Sequence, residues 1–165
     1  MASTNTLIIW RAQDGRPPSA NGATFDLRNV HPVLDFDDTT DESADFEGVM
    51  PRNYAGGGVT VYLHYCMTSA ILLLVDWEVS FERIGNGSQD IDSDGFAAIQ
   101  STSVTVPVTS GNVDIASIAF TDGAQMDSVA VGEAFRLRVN RDANDAVNDT
   151  AVGDAELLMV ELKET

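Results

Sequence analysis

Between Gly57 and Ile84 lie two runs of residues, GGVTVYLHYC and ILLLVDWEVSFERI, and their patterning restricts the fold more than any other feature of the chain. In the first run Val59, Val61, Leu63 and Tyr65 fall on one side, and Thr60, Tyr62 and His64 on the other. In the second, Val75, Trp77, Val79 and Phe81 alternate with Asp76, Glu78, Ser80 and Glu82. A period of two in β-branched and aromatic residues marks strands with one buried and one wet face. The two runs are expected to pair as a long hairpin at the centre of an antiparallel β-sandwich.

Shorter runs of the same kind flank this centre. TLIIWR at Thr6–Arg11 precedes QDGRPPSANGAT, whose glycines and prolines interrupt regular structure. Two readings of this start stand: an arm that binds a partner through Leu7, Ile8, Ile9 and Trp10, or an edge strand of the same sandwich. Val104, Val106 and Val108 alternate within Ser101–Val108. Val113 and Ile115 are followed, after a one-residue shift that marks a bulge, by Ile118 and Phe120. Phe135, Leu137 and Val139 alternate with Arg136 and Arg138, and Ala155–Lys163 closes the chain. One helical turn is expected at Ser93–Ala98. Val59, Val61, Leu63, Val75, Trp77, Val79, Phe81, Val104, Val106, Phe120, Phe135, Leu137 and Val139 are assigned to the core. The result is an all-β antiparallel sandwich, a jelly roll of about eight short strands separated by turn-rich loops. It occupies residues 31–165, after an N-terminal arm over residues 1–30. The loops 85–100 and 141–154 are expected to cross between sheets.

A length of 165 residues suits one domain with a two-layer core. Asp and Glu number 26 against 9 Lys and Arg, for a formal charge of -17. Such a surface repels nucleic acid and anionic lipid, so neither nucleic acid nor membrane is expected as a partner. The acids serve either as a solubilising coat or as a dock for a basic partner or for cations. The apolar run Ala70–Val75 is too short to span a bilayer, and the first residues do not read as an export signal. Cys66 is the only cysteine, which excludes an intrachain disulfide. It reads as a small buried hydrophobe.

Asp90, Asp92, Asp94 and Gly95 repeat the first half of a calcium loop, but Ser101 stands where the bidentate Glu belongs and no helices flank it. A hydrated turn and an irregular calcium cage both fit, and the turn is favoured. Asp142, Asp145, Asn148, Asp149 and Asp154 form a second acidic loop of the same kind. His31 and His64 share no motif. Arg136, Arg138 and Arg141 are placed to form salt bridges within the subunit or to the next one. Trp77 is in register with core residues, so a sugar-stacking face needs Tyr54 or Tyr62 to be exposed. With no coherent catalytic constellation, neither enzyme activity nor a cofactor or metal is expected.

The ordered segments FDDTTDESADFEGVMPRNYAGGGVTVYLHY, VDWEVSFERI, DSDGFAA, IAFTDGAQMDS and FRLRVNRDANDAVNDTAVGDAELLMVELKE resemble a group of bacteriophage virion-associated proteins, over Val33–Glu164. The resemblance implies a jelly roll that assembles as a homotrimer and carries no catalytic residues. Only a short segment precedes the domain, which points to a capsid decoration protein. Its expected place is the outer capsid surface of the virion, with the major capsid protein as partner. The alternative is the receptor- or glycan-binding head of a phage tail fibre.

Overall fold

The computed structural model describes residues 5–69, 72–87 and 89–165. They form ten strands: β1 (Thr6–Arg11), β2 (Thr24–Arg28), β3 (His31–Phe36), β4 (Glu42–Val49), β5 (Val59–Met67), β6 (Leu74–Ile84), β7 (Gln100–Thr105), β8 (Asp114–Phe120), β9 (Ala134–Arg141) and β10 (Ala155–Glu164). Single 3₁₀ turns lie at Ala12–Asp14 and Ala124–Met126, and the helical turn expected at Ser93–Ala98 does not form. Ala70 and Ile71, which belong to the expected central stretch, lie outside the described residues.

The alternating runs do become strands β5 and β6, but they do not pair. β5 sits between β10 and β8 in a sheet of order β2-β3-β10-β5-β8, while β6 sits between β9 and β7 in a sheet of order β4-β9-β6-β7. Their apolar faces meet across the sandwich instead. Alternation dictates which face of a strand is buried, and a face is buried equally well by a strand in the opposite sheet. Trp77 on β6 meets Tyr65 on β5 edge to face at 5.4 Å, and Phe36 on β3 at 5.2 Å. Phe81 meets Phe120 at 4.9 Å and Phe135 at 5.5 Å.

The core residues read from the alternation are buried, with Val104 partly so. β8 differs in detail. It pairs with β5 without a register shift, so Ala116, Ile118 and Phe120 face inward and the expected bulge is not present. Val113 and Ile115 are exposed. A register shift occurs instead in β10, between Leu157 and Met159. Around it β10 changes neighbour, pairing first with β3 and then with β1.

Residues 1–30, read as an arm, lie along this body from Asn5 onward. β1 pairs antiparallel with β10. Trp10 is buried, packs on Phe46 and Phe135, and donates its indole N–H to the Glu47 carbonyl at 2.9 Å. Leu7 and Ile8 pack against the core, and Ile9 is exposed. The segment beyond β1 then covers the free edge of β4: Arg16 and Asp45 exchange backbone hydrogen bonds, Ser43 donates to Asn21, and Ala23 donates to Ser43.

Of the two long loops, the one after β9 crosses between sheets as expected. The one after β6 does not, because β7 is the neighbour of β6. Residues 89–99 instead run back along the edge of β6 beyond β7, where the Ala97 N–H reaches the Phe81 carbonyl at 2.8 Å.

Candidate functional site: a polar groove on the four-stranded sheet

The outer face of the four-stranded sheet follows from the same alternation that builds the core. β6 presents Glu78, Ser80 and Glu82, and register sets them beside Asn140, Arg138 and Arg136 of β9. β4 continues each row with Ser43, Asp45 and Glu47. One half of this face is a closed charge lattice. Arg138 donates through Nε and Nη2 to both oxygens of Asp45 at 2.7 and 2.8 Å. Arg136 reaches Glu82 at 2.5 Å and Asp45 at 3.4 Å. The Phe96 ring, delivered by the folded-back loop, stacks on both guanidinium groups at 4.3 and 4.8 Å.

The other half is open. Between Pro18, Ala20 and Asn21 on one side and Ile99 on the other runs a groove of about 410 Å³. Its floor is Ser43, Glu78, Ser80, Arg138 and Asn140, and Asp41 stands at its rim. Asn140 donates to Glu78 Oε2 at 2.9 Å. Burial pushes the Glu78 carboxyl above its ordinary range, the Asn140 hydrogen bond opposes this, and the charges of Asp142, Asp76 and Asp41 add to the rise. Ser80 and Ser43 are only 4% and 8% exposed, yet neither hydroxyl has a hydrogen-bond partner among the described residues. Both oxygens reach the solvent of the groove and so stand open to a ligand that replaces water there.

The sequence-derived candidates are distributed otherwise. Leu7, Ile8, Ile9 and Trp10 lie in β1, away from the groove. Arg136 and Arg138 pair within the chain, as does Arg141, which is fully buried behind the sheet. Arg141 forms two bonds to Asp149 at 2.8 and 2.9 Å and donates to the carbonyls of Phe36, Ala151 and Gly153. Asp90, Asp92 and Asp94 sit in an exposed turn, where Asp90 accepts from the Asp92 N–H at 3.1 Å. The carboxylates that do converge are Asp37, Asp38 and Asp154 in one group and Asp76, Asp142 and Asp145 in another. The acidic loop after β9, noted in the sequence, contributes Asp142, Asp145 and Asp154, and their partners Asp37, Asp38 and Asp76 are brought in from distant segments. Cys66 is buried as expected but among polar groups, with its thiol against Glu156 and the Arg28 guanidinium. Burial and Glu156 push that thiol up to about 11. His64 lies 4.0 Å from Glu161, and His31 lines a different depression beside Arg28 and Cys66. Tyr54 is buried, with its hydroxyl donating to Asp122 at 2.9 Å, while Tyr62 is half-buried near Lys163.

No family model matches this chain, and no curated protein sequence matches it. Solved structures do share its fold. An isomalto-dextranase from Arthrobacter globiformis T6, complexed with panose, superposes with a TM-score of 0.62 at 14% identity, over 95% of this chain and 23% of that one. An exo-β-1,3-galactanase from Phanerochaete chrysosporium, with galactose, gives 0.57 at 10% identity, over 96% and 29%. The CBM22-2 xylan-binding domain from Paenibacillus barcinonensis gives 0.56 at 12% identity, over 96% of this chain and 99% of the domain. This chain therefore spans under a third of the two enzymes and the whole of the binding domain.

These likenesses overturn the phage reading. The superposing structures named above are of proteins that act on or bind carbohydrate, and none of these is virion-associated. Capsid decoration falls with it, as do the homotrimer, the major capsid protein as partner and the outer capsid surface as location. The short motifs misled because turn-flanked alternating strands are common to many sandwiches. The expectation that the chain is not an enzyme is also corrected. Enzymes are among the proteins sharing this fold, and the folded chain gathers two carboxylate groups that the linear sequence keeps apart.

Proposed function

We propose that this protein binds carbohydrate in the groove over Ser43, Glu78, Ser80 and Asn140. One observation carries the reading: the hydroxyls of two nearly buried serines open into the groove and make no hydrogen bond among the described residues. Sugar hydroxyls, each donor and acceptor, satisfy such groups, and a floor of hydroxyl, amide and carboxylate matches their chemistry. The likeness to a xylan-binding domain and to enzymes holding panose or galactose supports the same class of ligand. We further read strands β3 to β10 as a jelly roll, β3-β10-β5-β8 facing β4-β9-β6-β7. Residues 5–30 are then an extension that supplies one wall of the groove, through Pro18, Ala20 and Asn21.

The test is electrophoresis through gels containing α-glucan, xylan or galactan, followed by calorimetry with oligosaccharides of whichever retards the protein. Asn140→Ala is expected to weaken binding by about 2 kcal/mol while leaving thermal unfolding nearly unchanged. Retardation by none of these polysaccharides, or full affinity after the substitution, refutes the proposal.

A second reading, cleavage of the bound glycan, is favoured by the raised carboxyl of Glu78 in the same groove. It requires new reducing ends on prolonged incubation, lost in Glu78→Gln.

A further inference from the structure

The charge of the groove narrows the ligand. Arg138, its one basic residue, is already bound through two bonds to Asp45, and its neighbour Arg136 is shared between Glu82 and Asp45. Phe96 covers both guanidinium groups. Among the described residues, the two carboxylates lining the groove have no cationic partner. Glu78 accepts from the neutral Asn140 through Oε2, and its Oε1 makes no hydrogen bond among the described residues. Asp41 accepts the backbone N–H of Asn144 at 2.9 Å and stands against the Asp142 carboxyl, within side-chain hydrogen-bond reach of it. Asp76, two residues before Glu78 on the same strand, and Asp142 add their charge. One end of the groove is therefore anionic, and beside it stand the open hydroxyls of Ser43 and Ser80.

We propose that the groove selects amino sugars, oligosaccharides of hexosamine with a free amine. The ammonium sits at the Glu78 and Asp41 end, and ring hydroxyls of the same sugar reach Ser43 and Ser80. This rests on the carbohydrate-binding reading above and adds its specificity. A charged donor to a half-buried carboxylate is a stronger hydrogen bond than a neutral one, and like charge in the groove disfavours uronic acids. The unpaired serine hydroxyls distinguish the site from a merely acidic patch, since a bare cation would leave them unsatisfied.

The experiment is calorimetry with short oligomers of glucosamine, their N-acetylated counterparts, neutral xylo- and gluco-oligosaccharides and an oligouronate. It is run at about pH 6, where the amines are protonated, in about 0.3 M salt to suppress non-specific attraction, with chelator present. The glucosamine oligomer is expected to bind about tenfold more tightly than its N-acetylated form, with no binding of the uronate. Glu78→Gln should remove that preference, bringing the amine and the acetamide oligomers to about the same affinity. Ser80→Val should weaken amino and neutral sugars alike, and Asp90→Asn, in the remote exposed turn, should change neither. Equal affinity for amine and acetamide, binding of the uronate, equal losses in Glu78→Gln and Asp90→Asn, or binding that vanishes with chelator each overturns the inference. Binding of neutral sugars without preference rejects the specificity and keeps the carbohydrate reading. Binding of no sugar rejects both.

Discussion

At the scale of single residues, charge in this protein is managed by burial as much as by solvent. Arg141 is fully enclosed, with four hydrogen bonds that tie β9 to the loop leading into β10 and a fifth to the Phe36 carbonyl of β3. Breaking a buried pair strands its partner, so Asp149→Ala should lower stability by about 3–5 kcal/mol in denaturant unfolding. A loss no larger than that of a surface pair would contradict this account. Asp35 shows the opposite balance. Burial, with the charges of Asp154, Glu156, Asp26 and Glu42, raises its carboxyl to about 7. In the unfolded chain it titrates near the ordinary 3.8. Between those two values the folded state holds a proton that the unfolded state has lost, so stability should fall as pH rises across that window. Asp35→Asn should flatten this part of the profile, followed by the urea midpoint at a series of pH values. A profile as steep as that of the native chain would remove Asp35 as the cause.

At the scale of elements, strands and faces could be read directly, and partners could not. The alternation of Val75, Trp77, Val79 and Phe81 located β6 and its buried side. The same alternation placed Glu78 and Ser80 on the wet side, where they now line the groove. Nothing in either run states that β9 is the neighbour of β6, because pairing depends on side chains from distant segments meeting across the core. That is why Asn140, Ser43 and the wall from Pro18 to Asn21 escaped notice, though each lay in a recognisable strand or turn. The loop after β6 misled for a related reason, since its length hid that Phe96 clamps it down on Arg136 and Arg138. Phe96→Ala should cost about 0.5–2 kcal/mol from the two cation–π contacts. The start of β5 carries a sharper constraint. Gly58 has φ +106°, and a Cβ there would lie 2.3 Å from the Phe120 carbonyl oxygen. Gly58→Ala should therefore destabilise by more than about 1 kcal/mol, seen as a lower thermal midpoint.

At the scale of the whole molecule, the formal charge of -17 sets both solubility and self-repulsion. Added salt, by screening that repulsion, should raise the thermal midpoint between about 0.02 and 0.5 M sodium chloride. A midpoint that falls over this range would mean that the local ion pairs outweigh the repulsion. The pairing of β1 with β10 has a geometric consequence of another kind. It brings Asn5 and Glu164 together, the backbone N–H of Glu164 donating to the Asn5 carbonyl at 3.0 Å. The groove opens on the opposite sheet. A chain held by either end, or threaded into a host protein through both at once, would stand like a cup on a single stem, with its rim turned away from the point of attachment. A circular permutant joined from Thr165 to Asn5 by a few glycines and reopened at Gly111 should fold with its groove intact.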